Sequence, residues 1–363
     1  MKKSIVGIIG TNGLPGKYGG WDQLVNHLTI NLKNQFDFIV YTSKYNAEPG
    51  LKTYNGAKLI IINLKANGIQ SIFYDMLSLI HACFKCNTLF ICGYSGCIFL
   101  PLIKLSGKKI ILNPDGLEWK RKKWSKPVKW FLKISESIGI RFSDVVVSDN
   151  EKISEYINEE YNKNSELIEY GGDHVIKNIK LSEKTSSYYK ISYKKYAFKV
   201  CRIEPENNIH IILEAFKNVQ LPLIIVGNWS YSKYGKNLRN QYKQFNNIQM
   251  LDAIYDQHVL DELRNNCLIY IHGHSVGGTN PSLVEAMNLG LAIVSFKVSF
   301  NVVTTENNAL YFTNSNDLEY IINEILLNKI NLSKIGLKMN QIAEQRYTWD
   351  IVTKKYANLF NQS

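Results

Sequence analysis

Short, unbroken apolar runs alternate with segments of helical spacing along nearly the whole chain, and that alternation leaves few folds open. Runs at 5–9, 36–41, 58–62, 88–92, 109–112 and 144–148 are rich in Ile and Val. A strand with one wet face would alternate apolar and polar residues, whereas a continuous run fits a parallel strand covered on both faces. Between the runs, 21–32 sets Leu24, Val25, Leu28 and Leu32 on one helical face, and 69–84 reads as another helix. A second series has strands at 196–201, 223–226, 248–251, 268–272 and 291–295. Its helices fall near 209–218, 256–265, 281–289 and 317–327.

The expected class is α/β, as two Rossmann-like domains facing each other across a cleft. A chain of 363 residues also exceeds one ordinary core. The predicted division is an N-terminal domain over 1–175, a polar linker over 176–194, a C-terminal domain over 195–332, and a helical tail over 333–363. Ligands of open parallel sheets bind beyond the carboxyl ends of the strands, so glycine loops there are candidate site elements.

The net charge of +12 suits an anionic partner, whether nucleic acid, a membrane surface or a phosphorylated substrate, without choosing among them. No apolar run approaches the ~18 residues of a transmembrane helix. The run at 4–9 is too short for a signal-peptide core, and a cytoplasmic protein is the expectation. Of the six cysteines, Cys83 and Cys86 form a lone C-x-x-C with no second pair, and all six read as reduced structural thiols.

The most informative stretch runs from His272 to Gly290. An apolar run leads into Gly277-Gly278-Thr279-Asn280, and a helix follows from Pro281. Asn280 is a good N-cap, and Pro281 suits the first turn. Such a strand, glycine loop and helix start favour an anion, most often a phosphate. Glu285, one turn in, is a poor partner for phosphate but a good acceptor for sugar hydroxyls. His272 and His274 have no spaced third ligand, so no metal site is expected; one can contact a donor sugar or phosphate while the other is structural.

Other segments are less specific. The loop from Gly10 to Gly20 holds five glycines, with Gly19 and Gly20 opening a helix. It departs from G-x-G-x-x-G, and no acidic residue closes the next strand, which argues against an NAD site. Asp115, in Asn113-Pro114-Asp115-Gly116, either orients an acceptor hydroxyl or only makes an Asx turn. Residues 120–133 hold seven basic residues and no acid, with Trp124 and Trp130 interleaved. Lys120, Arg121, Lys122, Lys123, Trp124 and Trp130 suit an anionic membrane or acceptor surface, equally RNA, or simply a solvated helix face. Arg202, at a strand end, can hold a diphosphate or pair with Glu204 or Glu206.

Taken together, these segments resemble the GT-B glycosyltransferases, and within them the retaining family 4. The resemblance rests on Gly19-Gly20, on Arg202-Ile203-Glu204-Pro205-Glu206, on Asn280 to Met287, and on Tyr347 to Asp350. Adding Tyr18-Gly19-Gly20, residues 113–121, Tyr170-Gly171-Gly172-Asp173-His174 and residues 272–281 makes it similar to a bacterial rhamnosyltransferase group that builds capsules, O-antigens and cell-wall polysaccharides. Two positions depart from the family pattern: Gly277 stands where an acidic residue is usual, and Asn207-Asn208 where a lysine often follows the arginine.

The resemblance implies a donor site of Gly19, Gly20, Arg202, His274, Gly278, Thr279, Asn280, Ser282 and Glu285, with Glu285 on the ribose and Arg202 on the diphosphate. Asp115, Arg202 and Glu285 are the implied catalytic set. The implied donor is a nucleotide sugar, best matched by dTDP-rhamnose. The implied acceptor is a polyprenyl-diphosphate-linked saccharide at the inner face of the plasma membrane. Neither cofactor, metal nor nucleic acid is implied, and the leaving phosphate would take the acceptor's proton. Two other readings stand beside it: a GT-B-fold sugar-nucleotide epimerase, and a non-catalytic nucleic-acid or membrane-surface binding protein.

Overall fold

The computed structural model describes residues 3–16, 19–114, 116–121 and 124–362. The chain divides into two compact units. The first comprises Met1–Tyr170, Val276–Gly278 and Trp349–Ser363; the second comprises Gly171–Ser275 and Thr279–Thr348.

The first unit holds strands β1 (Ser4–Ile9), β2 (Phe36–Ser43), β3 (Thr53–Tyr54), β4 (Ala57–Ile62), β5 (Thr88–Cys92), β6 (Lys109–Asn113), β7 (Val145–Ser148) and β8 (Glu166–Leu167). They form one sheet in the order β3-β4-β2-β1-β5-β6-β7-β8. Every pairing is parallel except β3 with β4. That hairpin turns on Asn55 (φ 51°) and Gly56 (φ 81°), the two left-handed positions its twist requires. The helices are α1 (Gly19–Leu32), α2 (Gln70–Lys85), α3 (Leu100–Lys104), α4 (Lys126–Phe142) and α5 (Glu151–Tyr161).

The second unit begins with α6 (Glu183–Tyr189). It continues β9 (Ala197–Val200), α7 (Ile209–Phe216), β10 (Leu223–Val226), α8 (Lys233–Tyr242), β11 (Ile248–Leu251), α9 (Gln257–Asn265) and β12 (Ile269–His272). It closes with α10 (Pro281–Asn288), β13 (Ile293–Phe296), α11 (Ser299–Thr304), β14 (Leu310–Phe312), α12 (Ser315–Leu326) and α13 (Leu332–Arg346). Its sheet is all parallel, in the order β11-β10-β9-β12-β13-β14. Both units are therefore Rossmann-like. The strand order reverses between β1 and β5 in the first and between β9 and β12 in the second, where doubly wound sheets bind ligands.

Most of the continuous apolar runs fall on strands covered on both faces, whereas β11 is an edge strand and β4 exposes Ile61. On β2, Phe36 and Phe38 meet Phe360, while Tyr41, on the other face, meets His81 of α2. Phe360 belongs to the last helix, α14 (Trp349–Asn361), which groups with the first unit. Elements too thin to show a period escape sequence reading. β8 and β14 have two and three residues, and α5 buries only Ile153 and Ile157. The stretch 176–194, expected as a linker, contains α6. Ser182 caps it, and Glu262 accepts from the Ser182 N–H (2.5 Å) and the Thr185 hydroxyl (2.9 Å). A carboxylate from α9 thus supplies the order that apolar residues do not.

Helix α2 is seated unusually. The residues it buries are Ser71, Tyr74, Asp75, Ser78, Leu79 and Ala82. The Tyr74 hydroxyl lies 3.0 Å from the Thr11 carbonyl and 2.6 Å from that of Tyr41, pinning the helix to the strand ends. Asp75 is fully enclosed, and burial pushes its carboxyl up to about 8, against a backbone hydrogen bond at Gly96 that lowers it. Its Oδ1 has no hydrogen-bond partner.

In the unfolded chain Asp75 ionises near 3.8, and in the fold near 8. Between those values the folded chain keeps a proton that the unfolded chain releases. Stability therefore falls as pH rises through that window and is restored below it. Asp75→Asn is expected to raise the urea midpoint at neutral pH and to flatten its dependence between about pH 5 and about pH 8. An unchanged slope would show that Asp75 is not the group responsible.

Candidate functional site in the second unit

Helix α10 organises the candidate site. Asn280 caps it, its Oδ1 accepting from the Ser282 N–H (3.1 Å) and the Ser282 hydroxyl (2.8 Å). Ser282 therefore gives its N–H to the cap. Thr279 is buried beside it. Gly277 takes φ 104°, a value that favours glycine, and Val276–Gly278 groups with the first unit. Gly290 closes the segment at φ 65°.

Glu285, one turn into α10, is held on both carboxylate oxygens. Arg264 of α9 reaches Oε2 at 2.7 Å, and His174 Nε2 lies 3.4 Å from Oε1. Arg264 is wholly buried, and its other terminal nitrogen meets Asp261 Oδ1 at 3.2 Å. Burial alone would raise the Glu285 carboxyl. Burial is the largest single effect, but Arg264 and His174 together outweigh it and hold the carboxyl below its ordinary value, as an anion. Oε2 has a close charged partner and Oε1 a longer contact, so both oxygens keep lone pairs that can accept hydroxyl protons.

The Tyr170-Gly171-Gly172-Asp173-His174 segment now has a physical role. A Cβ at Gly172 would lie 2.6 Å from the Val284 carbonyl and 2.7 Å from the Glu285 nitrogen, so only glycine lets the backbone pass this close to α10. The Gly172 N–H donates to the Tyr347 carbonyl at 2.9 Å, and Asn288 Nδ2 donates to the same oxygen at 3.1 Å. These bonds bring His174 to Glu285. The sequence carried this signal only as a motif, and Arg264 and His174 were not foreseen as partners of Glu285.

At the strand ends beside the switch point, the segments after β9 and β12 are laced together. Asn207 donates to the Arg202 carbonyl (2.9 Å), and its Oδ1 lies 3.1 Å from His274 Nδ1. Asn208 donates to the Gly273 carbonyl (2.9 Å), and the Ser275 N–H donates to that of Glu206 (2.9 Å). Asn207 and Asn208, where the family pattern often has lysine, therefore fasten two loops. Arg202 is 61% exposed and only 3.8 Å from Glu204, a loose pair that leaves its guanidinium accessible. His272 is buried with neither ring nitrogen hydrogen-bonded. Burial, Lys199 and His274 all push its pKa down, so it is neutral and structural rather than a cation for phosphate.

In the first unit Gly19 and Gly20 open α1, Gly19 at φ 79° with nothing near its missing side chain. Asp115, Lys122 and Lys123, and Tyr18 of the first loop, lie outside the described residues. The expected basic surface is reduced by Glu118, just upstream of it. Arg121 is buried in an ion pair with Glu118 (2.8 Å), and the Trp124 indole N–H donates to the same carboxylate (3.0 Å). Arg121 is thus a packed residue and not a surface cation. Lys120 lies over the Trp119 ring and remains exposed, as does Trp130, at 71%. Among the described residues no cluster of His, Cys, Asp or Glu has the makings of a metal site.

The two Rossmann-like sheets match the fold of GT-B glycosyltransferase structures. Residues 182–346 match the family Glycosyl transferases group 1, and residues 3–173 match a domain of unknown function, DUF1972. The similarity to group 1 glycosyltransferases thus lies in the second unit, over residues 182–346. Sucrose-phosphate synthase from Thermosynechococcus elongatus superposes with a TM-score of 0.81 at 13% identity, covering 99% of each chain. HepE from Anabaena, solved with UDP-glucose, gives 0.77 at 15% identity over 98% of each chain. A trehalose-6-phosphate structure from E. coli, bound with UDP-2-fluoro glucose, gives 0.69 at 10% identity over 99% of each chain. No curated protein matches the chain.

Arg264→Met removes the cation and leaves the Glu285 carboxylate buried without it, so a loss of about 3–5 kcal/mol of stability is expected. Adding Glu285→Leu removes one of the two carboxylates left without Arg264, the other being Asp261, and should recover part of that loss. Chemical denaturation of the single and double variants checks this; a double variant less stable than Arg264→Met alone would show that the pair is not the source.

Proposed function

We propose that the chain is a retaining glycosyltransferase that moves a sugar from a nucleoside diphosphate sugar to a lipid-linked saccharide during synthesis of a bacterial capsule, O-antigen or cell-wall polysaccharide. The donor proposed is dTDP-rhamnose and the acceptor a polyprenyl-diphosphate-linked saccharide at the inner face of the plasma membrane. The observation that carries the donor assignment is the Glu285 carboxylate, kept ionised by Arg264 with acceptor capacity to spare on both oxygens. Such a group takes ribose hydroxyls and repels a phosphate, so it sets the nucleoside end of the ligand. The diphosphate then falls to Arg202 and to the loop of Gly278, Thr279 and Asn280 at the start of α10, with His274 on the sugar side. Gly19 and Gly20 complete the donor site on the side where the acceptor enters, and Asp115 serves the acceptor.

In this reading the bond from the sugar C1 to the diphosphate oxygen breaks, and the acceptor hydroxyl attacks from the same face. Its proton passes to the departing phosphate. Charge stabilisation of the leaving group by Arg202 and the α10 amides supplies most of the rate.

A panel of nucleotide sugars, offered with and without lipid-linked acceptors and with EDTA present, tests the assignment. Transfer that needs the acceptor and survives EDTA is expected, while a changed sugar nucleotide in the donor-only arm would indicate epimerisation. Glu285→Ala should raise the donor KM by about tenfold or more, the loss of two charge-assisted hydrogen bonds. Unaltered turnover at low donor concentration would remove Glu285 from the donor site.

A further inference from the structure

Helix α2 carries apolar residues on both faces, with Leu79 and Ala82 inside and a second stripe outside. Its buried face carries Ser71, Tyr74, Asp75 and Ser78, while Ile69, Phe73, Leu77, Ile80 and Phe84 face outward at spacings of three and four. Phe84 is 80% exposed and Ile69, at the helix start, 79%. The stripe runs the full length of the helix with no charged side chain within it. Neighbouring α3 adds exposed Leu102 and, just beyond it, Leu105, and α4, packed on α3, presents Trp130. Surface helices of soluble proteins put the apolar stripe inside, and an apolar patch of this length marks an interaction site.

The charges around the stripe select the occupant. Residues 65–112 contain five lysines and one acid, Asp75, which is buried on the opposite side of α2. Lys104 pairs with Asp144, and Lys109 donates to carbonyls at the end of α14. Lys65, Lys85 and Lys108 remain as a purely cationic rim, with no ion pair among the described residues. A second copy of the chain would bring the same lysines and no acid, so like charges would oppose that contact. An anionic lipid surface satisfies both halves: acyl chains take the phenylalanines and leucines, and headgroups take the lysines. No helix of the described residues is long and apolar enough to cross a membrane, which leaves a helix lying in the interface plane.

We infer that α2 and α3 form a docking face for an anionic membrane, seating the first unit on the surface that holds a lipid-linked acceptor. The placement deepens the transferase reading, but its test does not depend on turnover. The full chain is sedimented with vesicles of equal parts phosphatidylcholine and phosphatidylglycerol, and with phosphatidylcholine alone. Binding is expected to favour the anionic vesicles. Phe73→Ser with Phe84→Ser, both outward-facing, should weaken it by about tenfold or more while circular dichroism stays unchanged. Lys85→Gln with Lys108→Gln should abolish the preference for anionic lipid.

A wild-type chain that ignores both vesicles overturns the inference. So does a double serine variant that binds as well as wild type, or a wild-type dimer in solution that the serine substitutions dissolve and vesicles do not. The thermal shift produced by a nucleotide sugar is measured on the same variants. It should be unaltered by them, so failure of the docking face and failure of the donor site give different results.

Discussion

Each sheet reverses its winding at a single pair of strands, and the placement of every candidate ligand group follows from that. A parallel strand must be followed by a crossover, and right-handed crossovers put successive helices on one face until the winding turns back. Where it turns, no helix crosses the strand ends and the loops there stay open. In the second unit these are the loops after β9 and β12, which carry Arg202 and His274. In the first they are the loops after β1 and β5. The chain can vary these loops widely, because sheet order is set by strands buried elsewhere.

Within the second unit, the buried Arg264 shows how a charge is kept where water is excluded. Its guanidinium neutralises Asp261 on its own helix and Glu285 on the next, so α9 and α10 share one ionic centre. Replacing the pair by apolar residues would stabilise a protein that needed only to fold. Retaining it keeps an ionised carboxylate one turn into α10. Gly172, too close to α10 for any side chain, sets the distance at which His174 can complete that arrangement.

Much of this was legible in the sequence, and the illegible part has a common cause. The strands β1, β2, β4 to β7 and β9 to β13 announce themselves by their apolar runs, which for most of them, though not for β4 and the edge strand β11, reflect burial on both faces. The cap at Asn280 and the glycines around it follow from local backbone chemistry, which short sequence windows contain. Arg264 and His174 were invisible as partners of Glu285, because their meeting depends on packing between separate elements: Arg264 comes from the preceding helix, and His174 from a segment far upstream in the chain. The basic stretch at 120–133 misled in part for the same reason: Glu118 lies two residues upstream of the count and neutralises Arg121 in space. Helix α2 was recognised by its period, but period alone does not say which side of a helix faces in.

The seating of α2 has a consequence for how the chain reaches its native state. Rolled about its own axis, the helix could hide Phe73, Leu77, Ile80 and Phe84 against the sheet and release Asp75 to water, which is the arrangement hydrophobic collapse alone would reach. In the native arrangement the Tyr74 hydroxyl meets the Thr11 and Tyr41 carbonyls, and Leu79 and Ala82 are buried on the same face. Local and global preferences disagree along this one helix, as minimally frustrated sequences generally avoid. The helix is therefore held by directional bonds at Tyr74 as well as by the packing of Leu79 and Ala82, and its outward apolar side chains are left for another partner.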